Sequence, residues 1–203
     1  MNEQEKFWSG KFGNNYTKRL PTKLLLANNI SFFKKILKNK YKIDSLIELG
    51  ANNGSNILAI KKVKKKIINI TAVEINSDAC KQLKKIKKIK VINEPISKFK
   101  IKNKFDLVLL KGVLIHVNPN QLKKIYKKIS RLSSKYVLIA EYYNPYPIKI
   151  DYRNYKNKLF KRDFAGEFVA NNKNFKIIDY GFVYRKDKFP QDDLTWFLIK
   201  KST

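Results

Sequence analysis

The sequence is poor in residues that cross-link, ligate metals or balance positive charge: it has one cysteine, one histidine and 16 acidic residues against 45 basic ones. A single cysteine, Cys80, rules out an internal disulfide framework and is typical of a reducing compartment. No apolar run approaches the roughly 18 to 20 residues needed to cross a membrane, and the opening MNEQEKFWSG lacks the basic and apolar regions of a signal peptide. We therefore expect a cytoplasmic protein with no membrane insertion and no metal.

The formal charge of +29 is the most unusual property of the chain. Clustered lysines neutralise phosphate groups, so a nucleic-acid partner is one interpretation of this excess. However, nucleic-acid-binding proteins also use arginine for bidentate contacts, and this chain has only five arginines, with its lysines spread over the whole length. The joint enrichment in lysine, asparagine and isoleucine favours compositional bias. A nucleic acid remains an alternative partner that is not favoured.

The order of apolar segments predicts the fold. Up to residue 141, short apolar runs alternate with amphipathic segments such as QLKKIYKKISRL, which predicts parallel strands joined by right-handed helical crossovers. Residues 142–168 then form an aromatic and basic insertion, interpreted as irregular structure ending in a helix, and KIIDYGFVYRK and LTWFLIKK predict an antiparallel hairpin. We predict an α/β fold with a doubly wound, mostly parallel Rossmann-like sheet closed by this C-terminal hairpin. Residues 1–40 would supply an N-terminal lid and helix, and residues 41–203 the main domain.

The segment IELGANNGSN, residues 47–56, places a glycine loop after the first predicted strand. Ligands of doubly wound sheets bind at the carboxyl ends of the strands. The loop has Gly50 and Gly54 but Asn52 in place of the middle glycine of a dinucleotide fingerprint, and it lacks the Gly-Lys-Ser/Thr ending of a nucleoside triphosphate loop. Glu74, at the tip of the second strand, is placed to accept both hydroxyls of a ribose. The loop and the acid together indicate an adenosine-type ligand that needs few phosphate contacts.

Several stretches resemble a known family over nearly the whole chain. The loop LIELGANNGSN, the strand-tip acid of AVEIN and the closing hairpin are similar to those of class I S-adenosylmethionine-dependent methyltransferases. The stretches EQEKFWSGKFGNNYTKR, LLKGVLIHVNP, LFKRDFAGEF, DYGFVYRKD and FPQDDLTWFLIK resemble the small methylases associated with pseudaminic acid biosynthesis. The name of that family reflects a genetic association with nonulosonic acid pathways, so it says little about the methyl acceptor.

The resemblance implies S-adenosyl-L-methionine as the cofactor and assigns residues to it. Gly50, Asn52 and Gly54 would line the methionine side of the cofactor, and Glu48 would steady the loop. Glu74 would hold the ribose. The other implied cofactor contacts follow the second, third and fourth strands: Ile75, Glu94, Pro95, Ile96, Lys111 and Gly112.

Two further groups of residues border this predicted site. Residues 1–19 are too aromatic for a free tail, so we interpret them as a lid that excludes water, with Tyr16 and Arg19 matched to a carboxylate such as that of methionine; a plain packing arm is the alternative. His116, the only histidine, is a candidate general base with a pKa near neutrality, and a structural histidine is the alternative. Candidate acceptor-binding residues above the same strand ends are Tyr142, Tyr143, Asn144, Tyr152, Arg153, Arg162 and Asp163.

We therefore expect an S-adenosylmethionine-dependent methyltransferase that acts on an oxygen or nitrogen of a small polar acceptor, such as a nonulosonic acid or a related sugar intermediate. An RNA methyltransferase with a basic surface is the first alternative. It would lack the Asn/Asp-Pro-Pro-aromatic signature of base N-methylases, of which NPYP at residues 144–147 is a partial echo after the fifth strand instead of the fourth. A non-catalytic binding module is the second alternative, and the oligomeric state stays open.

Overall fold

The computed structural model describes residues 1–18 and 22–202. Its strands are β1 (Ser45–Leu49), β2 (Asn69–Val73), β3 (Lys90–Ile92), β4 (Phe105–Lys111), β5 (Ser133–Glu141), β6 (Ile148–Tyr152), β7 (Tyr155–Lys161), β8 (Phe175–Val183) and β9 (Leu194–Lys201). Its α-helices are α1 (Glu3–Ser9), α2 (Lys11–Lys18), α3 (Thr22–Ile36), α4 (Ser55–Val63), α5 (Ser77–Leu83), α6 (Leu122–Leu132) and α7 (Phe164–Asn171). Two short 3₁₀ helices, Leu114–His116 and Pro119–Gln121, precede α6.

Seven strands form the central sheet in the order β3-β2-β1-β4-β5-β9-β8. The first five pair in parallel, whereas β9 runs antiparallel to β5 and β8 antiparallel to β9. The predicted doubly wound sheet with a closing antiparallel hairpin is thus confirmed. Because the parallel strands share one direction, the turns after β1, β2, β4 and β5 all meet at one edge of the sheet.

Helices cover both faces of the sheet because the central strands are apolar on both sides. Leu46 and Ile47, neighbours on β1, are each fully buried but belong to different hydrophobic clusters. One cluster packs β-strand side chains against α3, α4 and α5, with Phe33 at its centre; the other packs them against α6 and α7, with Phe168. Burial of such a side chain stabilises the fold by about 1.5 to 3 kcal/mol, so these layers fix the strand ends that carry the loops.

The insertion at residues 142–168 is not irregular, and this part of the prediction is wrong. β6 and β7 form a separate two-stranded antiparallel hairpin. Its turn residues, Arg153 and Asn154, both have positive φ, at 50° and 68°. Two consecutive positive φ angles are what the tightest hairpin turns require. The helix α7 that follows is capped by Asp163, whose carboxylate accepts the Gly166 N–H.

The N-terminal segment forms two short helices before α3. The N-terminus of α1 has a capping box, in which Asn2 and Glu5 accept each other's backbone N–H groups at 2.8 and 2.9 Å. Such reciprocal caps satisfy donors that a short helix otherwise leaves open. Within the described residues, no helix has the length and apolar character that a membrane crossing requires.

Candidate active site

A cavity of about 460 Å³ opens at the carboxyl ends of β1, β2, β4 and β5, within the range typical of small-molecule sites. Its walls include the turns after these strands and after β3, the helices α1 and α2, one side of α3, the end of β6, and the loop between β8 and β9. This is the location that the glycine loop and Glu74 predicted. Residues far apart in the sequence therefore share one cavity.

The glycine loop adopts a turn that few other residues allow. Gly50 has φ 76°, and a Cβ built on it would lie 2.4 Å from Cγ2 of Val113. Asn52, in the place of the middle glycine, has φ 46°, a left-handed conformation that asparagine tolerates better than most residues. Gly54, with φ 81°, lies behind the loop at the N-cap of α4, where its Cα faces Leu83 and Ile86. The loop thus brings backbone close to the cavity.

Glu74 lies at the tip of β2 with its carboxylate against the glycine loop. Its Oε2 accepts the N–H of Asn52 at 2.7 Å, and its Oε1 accepts the N–H of Asn76 at 2.8 Å. The side chain is 7% exposed and, with the adjacent Ile75, lines the cavity. Burial raises the pKa of Glu74, and the backbone hydrogen bonds from Asn76 and Asn52 oppose that rise. Each oxygen keeps a further lone pair for a ligand.

Glu48 is buried below the loop, and Lys111, which is partly exposed, lies near enough for the two charges to influence each other. Glu48 Oε1 accepts from Asn56 Nδ2 at 2.7 Å, whereas Oε2 has no partner among the described residues. Burial raises the pKa of Glu48, which the hydrogen bond from Asn56 and the charge of Lys111 oppose. Burial also lowers the pKa of Lys111, which Glu48, Asp192 and Glu141 oppose. Lys111 and the following Gly112 line the cavity.

The turn after β3 contributes apolar surface and a serine. Pro95 and Ile96 line the cavity, as does Ser97, whose hydroxyl donates to Glu5 Oε1 of α1. Glu94 is exposed and lies outside the cavity lining. The predicted adenine contacts of Pro95 and Ile96 therefore agree with their positions, but that of Glu94 has no geometric support.

The helices α1 and α2 lie against this wall of the cavity. Asn76 Nδ2 donates to the carbonyl of Trp8 at 3.1 Å and to Asn14 Oδ1 at 2.6 Å, and Thr17 Oγ1 donates to Asn52 Oδ1 at 2.9 Å. Tyr16 lines the cavity, and burial raises its pKa to about 12. Arg19, the other predicted carboxylate ligand of this segment, lies outside the described residues.

His116 lines the cavity between two aromatic rings. Its centroid lies 4.5 Å from the ring of Trp8 and 4.9 Å from that of Tyr152. Nδ1 is 2.7 Å from the carbonyl oxygen of Lys158; because a carbonyl only accepts, Nδ1 carries the proton and Nε2 keeps its lone pair. Burial lowers the pKa of His116 to about 4. The expectation of a pKa near neutrality is therefore wrong, and the ring is neutral at physiological pH.

The predicted acceptor residues divide into two groups. Tyr142 and Tyr152 line the cavity, and Arg153 lies at its edge, with its guanidinium 5.6 Å from the ring centroid of Tyr152. The other four lie elsewhere. Tyr143 packs near Phe197, Asn144 donates to the carbonyl of Tyr146, Arg162 donates to Glu167 at 2.6 Å, and Asp163 caps α7. Their local partners explain their positions without a ligand.

Two pairs of polar residues are among the lining residues that the sequence did not single out. Asn28 and Asn29 come from α3, and Gln191 and Asp192 come from the loop before β9. Gln191 Nε2 donates to Asn29 Oδ1 at 3.3 Å and joins the two segments. These polar pairs stand next to apolar residues in the stretches LLLANNI and FPQDDL. Polar residues inside such apolar stretches are a sequence pattern that could have indicated them as site residues. No group of three or more histidine, cysteine, aspartate or glutamate side chains within residues 1–18 and 22–202 is placed to hold a metal ion.

Comparisons with known proteins concern the part of the chain that carries the glycine loop and Glu74. Residues 47–136 match a family model described as a methyltransferase domain; this stretch contains the glycine loop, Glu74, Lys111 and His116. No curated protein matches the sequence significantly.

Solved structures share the fold at low sequence identity. A S-adenosylmethionine-dependent methyltransferase from Leishmania major aligns with TM-score 0.71 and 11% identity over 98% of this chain and 86% of its own. The 1,6-didemethyltoxoflavin-N1-methyltransferase of Burkholderia thailandensis, bound to its substrate and S-adenosylhomocysteine, aligns with TM-score 0.71 and 14% identity over 98% and 87%. The magnesium protoporphyrin IX methyltransferase of Synechocystis, with bound S-adenosylmethionine, gives 0.67 and 10% over 100% and 99%. The chain thus contains a stretch, residues 47–136, that matches a methyltransferase domain, and it shares the fold of these S-adenosylmethionine-dependent methyltransferases.

Proposed function

We propose that the chain transfers a methyl group from S-adenosylmethionine to an oxygen or nitrogen atom of a small polar acceptor, and that the acceptor is a nonulosonic acid or a related sugar intermediate. The observation that carries the proposal is the position of Glu74. Its buried carboxylate is held by two backbone N–H groups next to a loop that only glycine and asparagine can form. This is an arrangement suited to a ribose and the chain attached to it.

Unpaired buried atoms support the fit of the cofactor to the cavity. Among the described residues, three buried side-chain atoms near the glycine loop and the lid have no hydrogen-bond partner: Trp8 Nε1, Glu48 Oε2 and Asn56 Oδ1. Buried polar atoms are usually paired, and an unpaired one costs about 1 to 3 kcal/mol. A ligand with both donors and acceptors would remove this cost, and an amino acid joined to a nucleoside has both.

The proposed cofactor contacts follow the wall of the cavity. Glu74 would accept the ribose hydroxyls, and Gly50 and Asn52 would cradle the amino-acid arm. The cofactor supplies an electrophilic methyl group on a sulfonium sulfur. Chain residues supply orientation and exclusion of water, which in well-oriented systems removes about 7 to 11 kcal/mol of a barrier. The remaining proposed contacts are Ile75, Pro95 and Ile96 with the adenine, Lys111 and Gly112 near the sulfonium, and Tyr16 near the carboxylate.

His116 is proposed as the group that receives the acceptor proton. The hydrogen bond from Nδ1 to the Lys158 carbonyl holds the ring in one tautomer, with the Nε2 lone pair available. Burial keeps the ring neutral at pH 7 but also makes it a weak base. The ring would therefore align a hydroxyl or amine by accepting its hydrogen bond and would take the proton as the new bond forms. A contribution at the low end of the usual 10²- to 10⁴-fold for a general base is expected.

The segment before β1 is proposed to be a separate functional part. Residues 1–40 would comprise the lid, α1 and α2, followed by α3, and residues 41–203 the domain that carries the insertion at 142–168. Polar contacts and stacked rings hold the lid, which suits a part that opens for ligand exchange. Of the insertion, the side chains of Tyr142, Tyr152 and Arg153 are proposed to face the acceptor.

The finer assignment of the acceptor rests on the sequence motifs alone. The resemblance to methylases associated with pseudaminic acid biosynthesis favours a nonulosonic acid or a sugar intermediate. An RNA acceptor has less support, because within residues 1–18 and 22–202 two cationic side chains, Lys111 and Arg185, line the cavity, out of the 45 basic residues of the chain.

Calorimetric titration of S-adenosylhomocysteine tests the proposal. The wild type should bind in the micromolar range, with tRNA as a competitor leaving the affinity unchanged at two salt concentrations. Glu74→Gln should weaken binding about 10- to 100-fold, because a hydrogen bond to a charged group contributes about 1.5 to 3 kcal/mol. Glu94→Gln is the matched control, since it removes one negative charge from an exposed position outside the cavity lining, and it should bind like the wild type.

Two results would contradict the proposal. A wild type that binds tRNA in a salt-dependent manner but not S-adenosylhomocysteine would overturn it entirely. Equal losses in Glu74→Gln and Glu94→Gln would show that charge, and not the geometry at Glu74, controls binding.

A further inference from the structure

A polar wall of the cavity is left without a role by the proposed cofactor contacts. It consists of Asn28 and Asn29 on α3 and of Gln191 and Asp192 before β9. β4 and β5 separate β1 from β9 in the sheet. Neighbouring strands lie about 4.8 Å apart, so β9, which Gln191 and Asp192 precede, is displaced by about 14 Å across the sheet from β1. The glycine loop and Glu74 lie on the other side, over β1 and β2.

The two asparagines present unpaired atoms although they are almost completely buried. Asn28 is 7% exposed and Asn29 is 1% exposed. Among the described residues, neither Asn28 Oδ1 nor Asn29 Nδ2 has a hydrogen-bond partner. Both residues line the cavity. This wall therefore offers one unpaired hydrogen-bond acceptor and one unpaired donor among the described residues. Hydroxyl and amide groups of a ligand can bond to both.

Asp192 adds a carboxylate that lacks a cation partner. The adjacent Asp193 pairs with Arg185 at 2.6 Å, whereas within residues 1–18 and 22–202 no ion pair or hydrogen bond involves the Asp192 side chain. Its charge contributes to the raised pKa values of Tyr16 and Tyr142. The carboxylate therefore faces the same space as these two phenols.

The charge of the lining restricts the ligand further. Within the described residues, the walls carry three carboxylates, those of Glu5, Glu74 and Asp192, and two cations, Lys111 and Arg185, of which Arg185 is paired with Asp193. Asp192 is an exposed residue of this lining. Its charge would repel an anionic acceptor and attract a cationic one at close range.

We propose that Asn28, Asn29 and Asp192 bind the methyl acceptor, and that the acceptor is an uncharged or amine-bearing small molecule rich in hydroxyl or amide groups. The two asparagines hold such groups, and Asp192 accepts a hydrogen bond from a hydroxyl or an amine. The inference rests on the proposed function and narrows it to sugar intermediates without a free carboxylate. The amino-acid arm of the cofactor offers similar chemistry and is the competing occupant.

Binding of three related probes to protein saturated with S-adenosylhomocysteine tests this inference. N-acetylglucosamine is neutral, glucosamine carries an amine, and N-acetylneuraminic acid carries a carboxylate. Ligand-observed NMR should detect the first two with the wild type and not the third. Asn28→Ala and Asp192→Asn should weaken their binding at least tenfold and leave the affinity for S-adenosylhomocysteine within twofold.

Matched controls come from outside the cavity. Asp187→Asn removes one charge from the same loop at an exposed position, and Asn171→Ala removes an exposed amide; both should bind the probes like the wild type.

Each other outcome counts against the inference. Preferential binding of N-acetylneuraminic acid, or no probe binding while S-adenosylhomocysteine binds, would overturn the proposed class of acceptor. Unaltered probe binding in Asn28→Ala and Asp192→Asn would overturn the assigned residues. A loss of S-adenosylhomocysteine affinity in Asn28→Ala alone would assign the wall to the amino-acid arm of the cofactor. A wild type that fails to bind S-adenosylhomocysteine would instead refute the proposed function, on which the inference depends.

Discussion

The proposed lid can be tested at Gly13, where α1 and α2 approach each other most closely. A Cβ on this residue would lie 1.9 Å from the carbonyl oxygen of Trp8 and 2.9 Å from Nδ2 of Asn76. That carbonyl is backbone and cannot rotate away as a flexible side chain would. Gly13→Ala must therefore move α1 away from α2 and break the hydrogen bonds that Asn76 makes to this segment.

The size of the effect follows from the contacts that would be lost. Three of the hydrogen bonds that join the lid to the rest of the protein lie beside Gly13: those of Asn76 to Trp8 and to Asn14, and that of Thr17 to Asn52. At about 0.5 to 1.5 kcal/mol each, their loss amounts to about 2 to 4 kcal/mol. This raises the population of the undocked lid by roughly 30- to 700-fold. The two hydrophobic clusters draw their members from Leu26 onward, so the free energy of unfolding of the main domain should change little.

Hydrogen exchange and ligand binding together provide the assay. In Gly13→Ala, the amides of residues 1–18 should exchange faster by the factor given above, and the affinity for S-adenosylhomocysteine should fall, while the denaturant midpoint of the domain stays within error. Gly10→Ala is the matched control, because its Cβ would lie 3.0 Å from the carbonyl of Lys6 at an ordinary φ of −97°. Exchange as slow as in the wild type, or a loss of stability across the whole domain, would refute the idea of a separately docked lid.

Three further predictions follow. Gly50→Ala should abolish S-adenosylhomocysteine binding, because its Cβ would lie 2.4 Å from Cγ2 of Val113 and force the glycine loop to move; binding as tight as that of the wild type would contradict this. Lowering the pH from 6.5 to 5 should reduce the free energy of unfolding of the wild type by at most about 2 kcal/mol through His116. The reason is that His116 takes up a proton near pH 6.5 in the unfolded chain but only near pH 4 in the folded one. His116→Asn should remove that pH dependence in urea titrations, and an unchanged dependence would count against the buried neutral ring. The turnover of His116→Asn should fall without being lost, and the wild-type pH–rate profile should lack an inflection between pH 6 and 7.

The central sheet could be predicted because each of its parallel strands is marked by a pattern within a few neighbouring residues. Each parallel strand is an apolar run that ends in a turn residue, and burial on both faces makes that run hydrophobic without interruption. The hairpin of β6 and β7 was missed for the opposite reason. β6 has no fully buried residue, and its turn uses Arg153 and Asn154 in place of the Asn-Gly pair that would have marked it. The pairing of the two strands, not a sequence pattern, defines this element.

The two parts of the candidate site also differ in how well the sequence predicts them. The glycine loop and Glu74 each follow a strand directly, so chain order alone places them at one edge of the sheet. The wall of Asn29 and Gln191 joins residues separated by 162 positions, and nothing in either local sequence specifies the other. Glu94, Arg162 and Asp163 show the limit of residue type as a guide: Glu94 is exposed outside the cavity lining, whereas Arg162 pairs with Glu167 and Asp163 caps α7.

The positive charge of the chain can be separated from the chemistry of its cavity. Cations concentrate instead on the outer face of α6, where six of them, Lys100, Lys123, Lys124, Lys127, Lys128 and Arg131, line a surface groove. There the ammonium of Lys128 donates to the carbonyls of Ile96 and Phe99, so even this charge is partly used to tie the turn after β3 to the helix. Within the described residues, Lys111 is the one lysine in the cavity lining, so the positive charge of the chain lies mostly on surfaces away from the candidate site.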